Sequence, residues 1–181
     1  MKDLALHILD ILQNSMIAGA TLIKLQIDEI PSEDKYMVKF TDNGKGMDVE
    51  MVQHVTDPFF TTRTTRKVGL GLPLLKLNAE RTGGSMTIHS QPGKGTNVDV
   101  EFSYKHIDRL PSGDIPGTLA LTASSYPEID FKYTHNTPQG SFIFDTAEIK
   151  DSLGDLAINN PMVIAFMKDL IRDNLKEIKA S

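Results

Sequence analysis

The sequence predicts an α+β fold: a two-layer α/β sandwich with helices on one face of a mixed sheet, followed by a small C-terminal α/β appendage. Three observations predict it. Helix-period and strand-period segments succeed one another as helix, two strands, loop, helix, two strands. Glycine-rich loops follow the second strand and precede the second long helix. The texture changes at residues 105–117, where Pro111, Gly113, Pro116 and Gly117 crowd together before a further hairpin and helix.

The elements follow in order. Residues 3–18 place Leu4, Ile8, Ile11 and Leu12 at helical spacing, and Gly19 is a natural stop. Residues 21–30 and 36–41 read as strands across the turn Pro31-Ser32-Glu33-Asp34. Asp42-Asn43-Gly44-Lys45-Gly46-Met47 is too rich in glycine for a regular element, and Asp48 opens a short helix. Residues 57–68 read as a long loop of Thr, Arg, Pro and Phe. A helix over 73–81 opens on Pro73 and closes at Gly83-Gly84, before strands at 85–90 and 96–102. Residues 1–104 are therefore expected as one domain, 105–117 as a linker and 118–181 as the appendage. In the appendage, 129–135 and 141–146 form a hairpin. Asn160-Pro161 opens a helix with Val163, Phe166, Met167, Leu170, Ile171, Leu175 and Ile178 on one broad apolar face.

Composition narrows the function. The 181 residues are 40% hydrophobic and 24% charged, enough for a packed core. A net charge of −5 argues against a nucleic-acid binder, and 7% aromatics with no Trp argue against a base-stacking surface. The absence of Cys excludes disulfides, thiolate metal sites and cysteine nucleophiles. No apolar run approaches a membrane span, and the first helix is too polar for a signal peptide, so a soluble cytoplasmic protein without membrane contact is expected.

Three pieces carry candidate chemistry. On the first helix, Asp3, His7, Asp10 and Asn14 share a stripe about 60° wide at 100° per residue. A solvated stripe is one reading. The other is functional: an amide oxygen on Asn14 suits a hard cation, and Asp10 one turn earlier suits proton acceptance. The second piece is Asp42-x-Gly44-x-Gly46 at a strand end, either a plain turn or a ligand loop with a carboxylate acceptor. The third runs from Arg63 through Arg66 and Lys67 to Gly69-Leu70-Gly71-Leu72-Pro73, a basic segment entering a helix where backbone N–H groups could meet phosphate. It is neither a Walker A loop nor a dinucleotide fingerprint. His7 reads as a structural histidine or a phosphoacceptor, and the other histidines show no zinc spacing.

Asp10-x-x-x-Asn14, then DNGKGM, DPFFTT, VGLGL and GKGT, resembles the N, G1, F and G2 boxes of the GHKL superfamily. That superfamily holds the gyrase, heat-shock chaperone, histidine kinase and mismatch-repair ATPases. The match spans roughly residues 1–104 and is most similar to histidine kinase catalytic domains. The resemblance implies a Bergerat-type fold that binds ATP and Mg²⁺, with Asn14 ligating the metal. Asp42 would accept from the adenine amino group, with Ala18, Gly44, Gly46, Met47 and Thr96 around the base. Phe60, Thr61, Thr62, Arg63 and Lys67 would belong to a lid, and Gly69, Leu70, Gly71 and Leu72 would offer backbone donors to phosphates. Asp10 stands where related ATPases carry an acidic base. Two departures stand out: Ile17 where histidine kinases often have Lys, and Lys67 or Val68 where a glycine is usual. The N box begins almost at Met1, so autophosphorylation in cis is not expected. The implied role is a stand-alone, histidine kinase-like phosphotransfer regulator acting on a partner protein. An ATP-gated binding switch or a simple ATPase is the alternative, and a second copy of the chain is a further candidate partner.

Overall fold

A computed structural model describes residues 1–57 and 70–181. The first helix, α1 (Leu4–Ile17), starts where the Asp3 carboxylate accepts the Leu6 N–H at 3.0 Å and stops before Gly19, at φ +76°. Strands β1 (Leu22–Ile30) and β2 (Lys35–Asp42) form an antiparallel hairpin across a single 3₁₀ turn. The short helix α2 (Val49–His54) begins with the Asp48 carboxylate accepting from Met51 N–H. Helix α3 (Gly71–Arg81) leads to β3 (Ser85–Gln91) and β4 (Gly95–Ser103). Beyond them lie α4 (Ile115–Ser125), β5 (Asp130–Thr137), β6 (Gly140–Asp145), α5 (Thr146–Leu153) and α6 (Pro161–Glu177).

All six strands join one mixed sheet in the order β3-β4-β2-β1-β5-β6, with β1 and β5 parallel and the remaining pairs antiparallel. Burial alternates along the strands. Ile23, Leu25 and Ile27 of β1, Val38 and Phe40 of β2, Val100 and Phe102 of β4 and Phe131 of β5 all point into the core. Against them pack Ile8, Ile11 and Leu12 of α1, Leu75 and Ala79 of α3, and Leu119, Ala120 and Ala123 of α4, with Val163, Met167 and Ile171 of α6 completing the layer. The other face carries Lys24, Gln26, Asp28 and Lys39, and Asp28 binds both Gln26 and Lys39. Helices therefore cover one face, as the α+β expectation requires.

Three departures from the sequence expectations bear on how the sheet and its helical layer are built. First, the hairpin of residues 118–181 continues the main sheet: β5 pairs with β1 over seven positions, from Leu22↔Asp130 to Asp28↔Asn136. A buried polar chain crosses this seam. His135 Nε2 donates to Glu29 Oε1 at 2.8 Å, and Tyr133 Oη donates to His135 Nδ1 at 2.5 Å, with all three side chains buried. Burial alone would raise the Glu29 carboxyl, but hydrogen bonds from His135 and Ser181 hold it below the usual glutamate range. Second, the expected linker does structural work. The Pro111 and Ser112 carbonyls accept the Leu4 and Ala5 N–H groups, closing the start of α1, and Asp114 caps α4 through Gly117 N–H. Pro116 sits in the first turn of α4, where it costs no hydrogen bond. Third, Phe166, expected on the apolar face of the last helix, is 58% exposed, while its neighbours Val163 and Met167 are buried.

Candidate functional site

The candidate residues gather where the end of α1, the end of β2, the β3–β4 turn and the start of α3 meet. Ser15 is buried on α1, and its hydroxyl donates to Asp42 Oδ2 at 2.7 Å. Oδ1 of the same carboxylate accepts the Gly44 N–H at 2.9 Å. Asp42 is thus held by one donor on each oxygen, and each oxygen keeps a further lone pair for a ligand. Ala18 lies directly beneath Gly44: its carbonyl accepts the Lys45 N–H at 2.9 Å, and a methyl group at Gly44 would come within 2.9 Å of the Ala18 side chain.

The glycine loop is fastened on both sides. Asn43 Oδ1 accepts the Thr21 and Leu22 N–H groups at 2.8 and 2.9 Å, tying the loop to the start of β1. On the other side Ser90 Oγ accepts the Met47 N–H at 2.8 Å, donates to the Gly95 carbonyl and sits 2.9 Å from Thr96 Oγ1. Thr96 is the cross-strand partner of Asp42. Gly46, at φ +67°, lies so close to β3 that a Cβ would fall 2.0 Å from the Gln91 carbonyl oxygen. Ser15, Asn43 and Ser90 are therefore site-building residues that the sequence reading left without a role. Their signal was only that each is a small hydrogen-bonding residue flanking a motif.

At the other end, Asn14 Nδ2 donates to Asp10 Oδ2 at 3.3 Å, and that same oxygen lies against Gly71, the first residue of α3. A Cβ on Gly71 would fall 1.7 Å from it, so only glycine leaves the Asp10 carboxylate its place against the start of α3. Leu70, the residue preceding α3, supplies no side-chain acceptor to the helix start, and Leu72 packs on the core. The helix begins at Gly71, two residues earlier than expected, because Pro73 is tolerated in a first turn. His7 is buried beneath α3, with Nε2 3.2 Å from Asn78 Nδ2. Burial, and then the positive amino terminus, push the His7 imidazole below its ordinary value, against the opposing effects of Gly71, Asp10 and Asp3.

The structure thus brings Ala18, Asp42, Gly44, Gly46, Met47 and Thr96 together at one end, and Asp10, Asn14, Gly71 and Leu72 at the other, joined by α1. Phe60, Thr61, Thr62, Arg63, Lys67 and Gly69 lie outside the described residues. Asn14 carries an amide oxygen, a hard donor that fits Mg²⁺, an ion that takes few protein ligands and fills its shell from phosphates and water. Among the described residues no cluster of three or more His, Cys, Asp or Glu side chains competes as a metal site. A hollow of about 280 Å³ beside α5, lined by Pro127, Lys150 and Leu153 among others, shares no residue with this constellation.

Comparison with known proteins places the constellation in context. A family model described as "Histidine kinase-, DNA gyrase B-, and HSP90-like ATPase" matches residues 2–106, more than half of the chain. The chain is 30% identical over 106 residues to Sensor kinase CckA of Brucella abortus, covering 58% of this chain and 11% of that protein. It is 33% identical over 93 residues to Sporulation kinase D of Bacillus subtilis, covering 51% of this chain and 18% of that protein. It therefore spans under a fifth of the length of either relative. Among solved structures it is similar in fold to the Aquifex aeolicus MutL ATPase domain complexed with ADP, at TM-score 0.51 and 16% identity, covering 75% of this chain and 60% of that one. No helix among the described residues is long and apolar enough to cross a membrane.

Proposed function

Because the chain belongs to the histidine kinase-, DNA gyrase B- and HSP90-like ATPase family, we propose that it binds ATP with Mg²⁺ in the crevice between α1, the β2 loop and the start of α3. The observation that carries this reading is the Asp42 carboxylate. It sits at a strand end, fixed by Ser15 and Gly44, with remaining lone pairs suited to the exocyclic amine of adenine. Ala18, Gly44, Gly46, Met47 and Thr96 surround the base. Asn14 holds the cation, with Gly71 and the α3 start near the phosphates, where helix N–H groups and dipole favour anionic charge. The family resemblance assigns Phe60, Thr61, Thr62, Arg63, Lys67 and Gly69, which lie outside the described residues, to the phosphates.

We further propose that the protein passes the γ-phosphoryl group to a hydroxyl or imidazole of a partner protein. The nucleophile forms the new P–O or P–N bond, ADP leaves, and Asp10 orients the nucleophile or takes its proton. Catalysis in this chemistry rests on positioning and charge neutralisation, and the hydrogen bond of Asp10 to Asn14, with Gly71 close by, supports a positioned Asp10. Incubating the protein and candidate partners with ATP labelled on the γ-phosphate tests the assignment. Label on a partner supports transfer, free labelled phosphate replaces it with ATP hydrolysis, and label that stays on bound ATP leaves a nucleotide-gated switch.

A further inference from the structure

His7 is the polar residue of the α1 stripe that the proposed reading leaves without a task. It is 1% exposed, one turn before Asp10, and it touches the same helix that Asp10 touches. The Asn78 amide nitrogen has only hydrogens to offer, so His7 Nε2 accepts and the ring proton sits on Nδ1. Nδ1 is buried without a well-formed hydrogen bond, and the Gly71 backbone is the part of α3 that acts on the ring's charge. One neutral imidazole therefore bears on both the body and the first residue of α3. That first residue has to fit against Asp10 with no room for a side chain.

We propose that neutral His7 is a positioning residue: it seats the start of α3 on α1, fixing Gly71 relative to Asp10 and Asn14, and its protonation unseats α3 and weakens nucleotide binding. The functional half of this inference rests on the nucleotide reading above. Protonation turns Nε2 into a donor facing the donor Nδ2 of Asn78, so the contact is lost. The charged groups acting on the ring are the amino terminus, Asp10 and Asp3, all on its own segment. From α3 it meets the Asn78 amide and the Gly71 backbone, and the largest charge effects on it come from its own segment.

The test is Mg-ATP affinity by calorimetry for the wild type and His7→Gln from pH 8 down through the wild-type imidazole titration, which NMR reads together with the Gly71 amide. Gln presents an amide oxygen where Nε2 accepted and does not titrate. Protonation of the phosphates is common to both proteins. The wild type is expected to lose roughly fivefold more affinity than His7→Gln, the worth of one hydrogen bond. Its Gly71 amide should shift together with the imidazole. Equal losses in both proteins, or a Gly71 amide indifferent to imidazole titration, would overturn the proposal, as happens if the Asn78 amide simply turns over to accept. A wild type that binds no nucleotide at pH 8 sinks the nucleotide reading instead, and the Gly71 titration in the unmodified protein then decides the role of His7.

Discussion

Ser15→Ala removes one hydroxyl and nothing else from the candidate site, which makes it a sharp probe of how Asp42 is held. The lost hydrogen bond is short, 2.7 Å, and its acceptor is a carboxylate oxygen. Hydrogen bonds to charged groups contribute about 1.5–3 kcal/mol. The Gly44 N–H still holds the other oxygen at 2.9 Å, so the carboxylate is loosened but not released, and the lower end applies. A loss of about 1.5 kcal/mol corresponds to roughly a tenfold weaker complex. Calorimetric titration with Mg-ATP reads it directly, and thermal melting should show a far smaller change, because water can replace the hydroxyl at the half-buried Asp42. The variant should also discriminate less between adenine and guanine nucleotides. An affinity within about twofold of wild type, with base preference intact, would refute the view that Ser15 orients the acceptor.

Other perturbations test other parts of the account. Gly71→Ala puts a methyl 1.7 Å from Asp10 Oδ2, so either the Asp10 carboxylate leaves its place or α3 shifts. Overpacking of this kind costs about 1–3 kcal/mol, and both the melting temperature and Mg-ATP affinity should fall; unchanged values would mean that α3 does not sit where described. Asp10→Asn should bind nucleotide nearly as well yet slow phosphoryl release or transfer about 100-fold, and equal rates would remove the proton-accepting role. Stability should fall on both flanks of the pH scale. The lowered His7 imidazole contributes stability above pH 6.5 that is lost as the pH drops, because the unfolded chain takes up the proton first. Glu29, also lowered, adds a further loss below pH 4.5. Tyr36 and Tyr133, both raised by burial, give a loss as the pH climbs past 10. A melting temperature flat from pH 7 to pH 4 would contradict the acid-side assignment.

Much of the N-terminal half is legible in the sequence because its signals are local. Asp3 and Gly19 bracket α1, and alternation marks β1, β2 and β4 to within a residue or two. Asp42, Gly44 and Gly46 carry their chemistry in their spacing. What stays hidden depends on distant partners. The parallel pairing of β1 with β5 unites residues more than a hundred positions apart, and no periodicity encodes it. Helix α4 is disguised by Pro116 and Gly117, residues that read as linker yet fit a capped first turn. Helix α5 starts at Thr146, which reads as the end of a strand because Asp145 both closes β6 and caps the helix. Ser15 and Asn78 matter only through what they touch, Asp42 and His7 respectively. The exposed Phe166 shows the converse: one broad apolar helix face can be wider than the surface it packs on.

The most direct measurement is a pair of calorimetric titrations with Mg-ATP, one on the unmodified chain and one on Asp42→Ala. Saturable heat in the first and none in the second is the predicted result. No heat from the unmodified protein, or equal affinity in both, would contradict the assignment of this crevice to an adenine nucleotide.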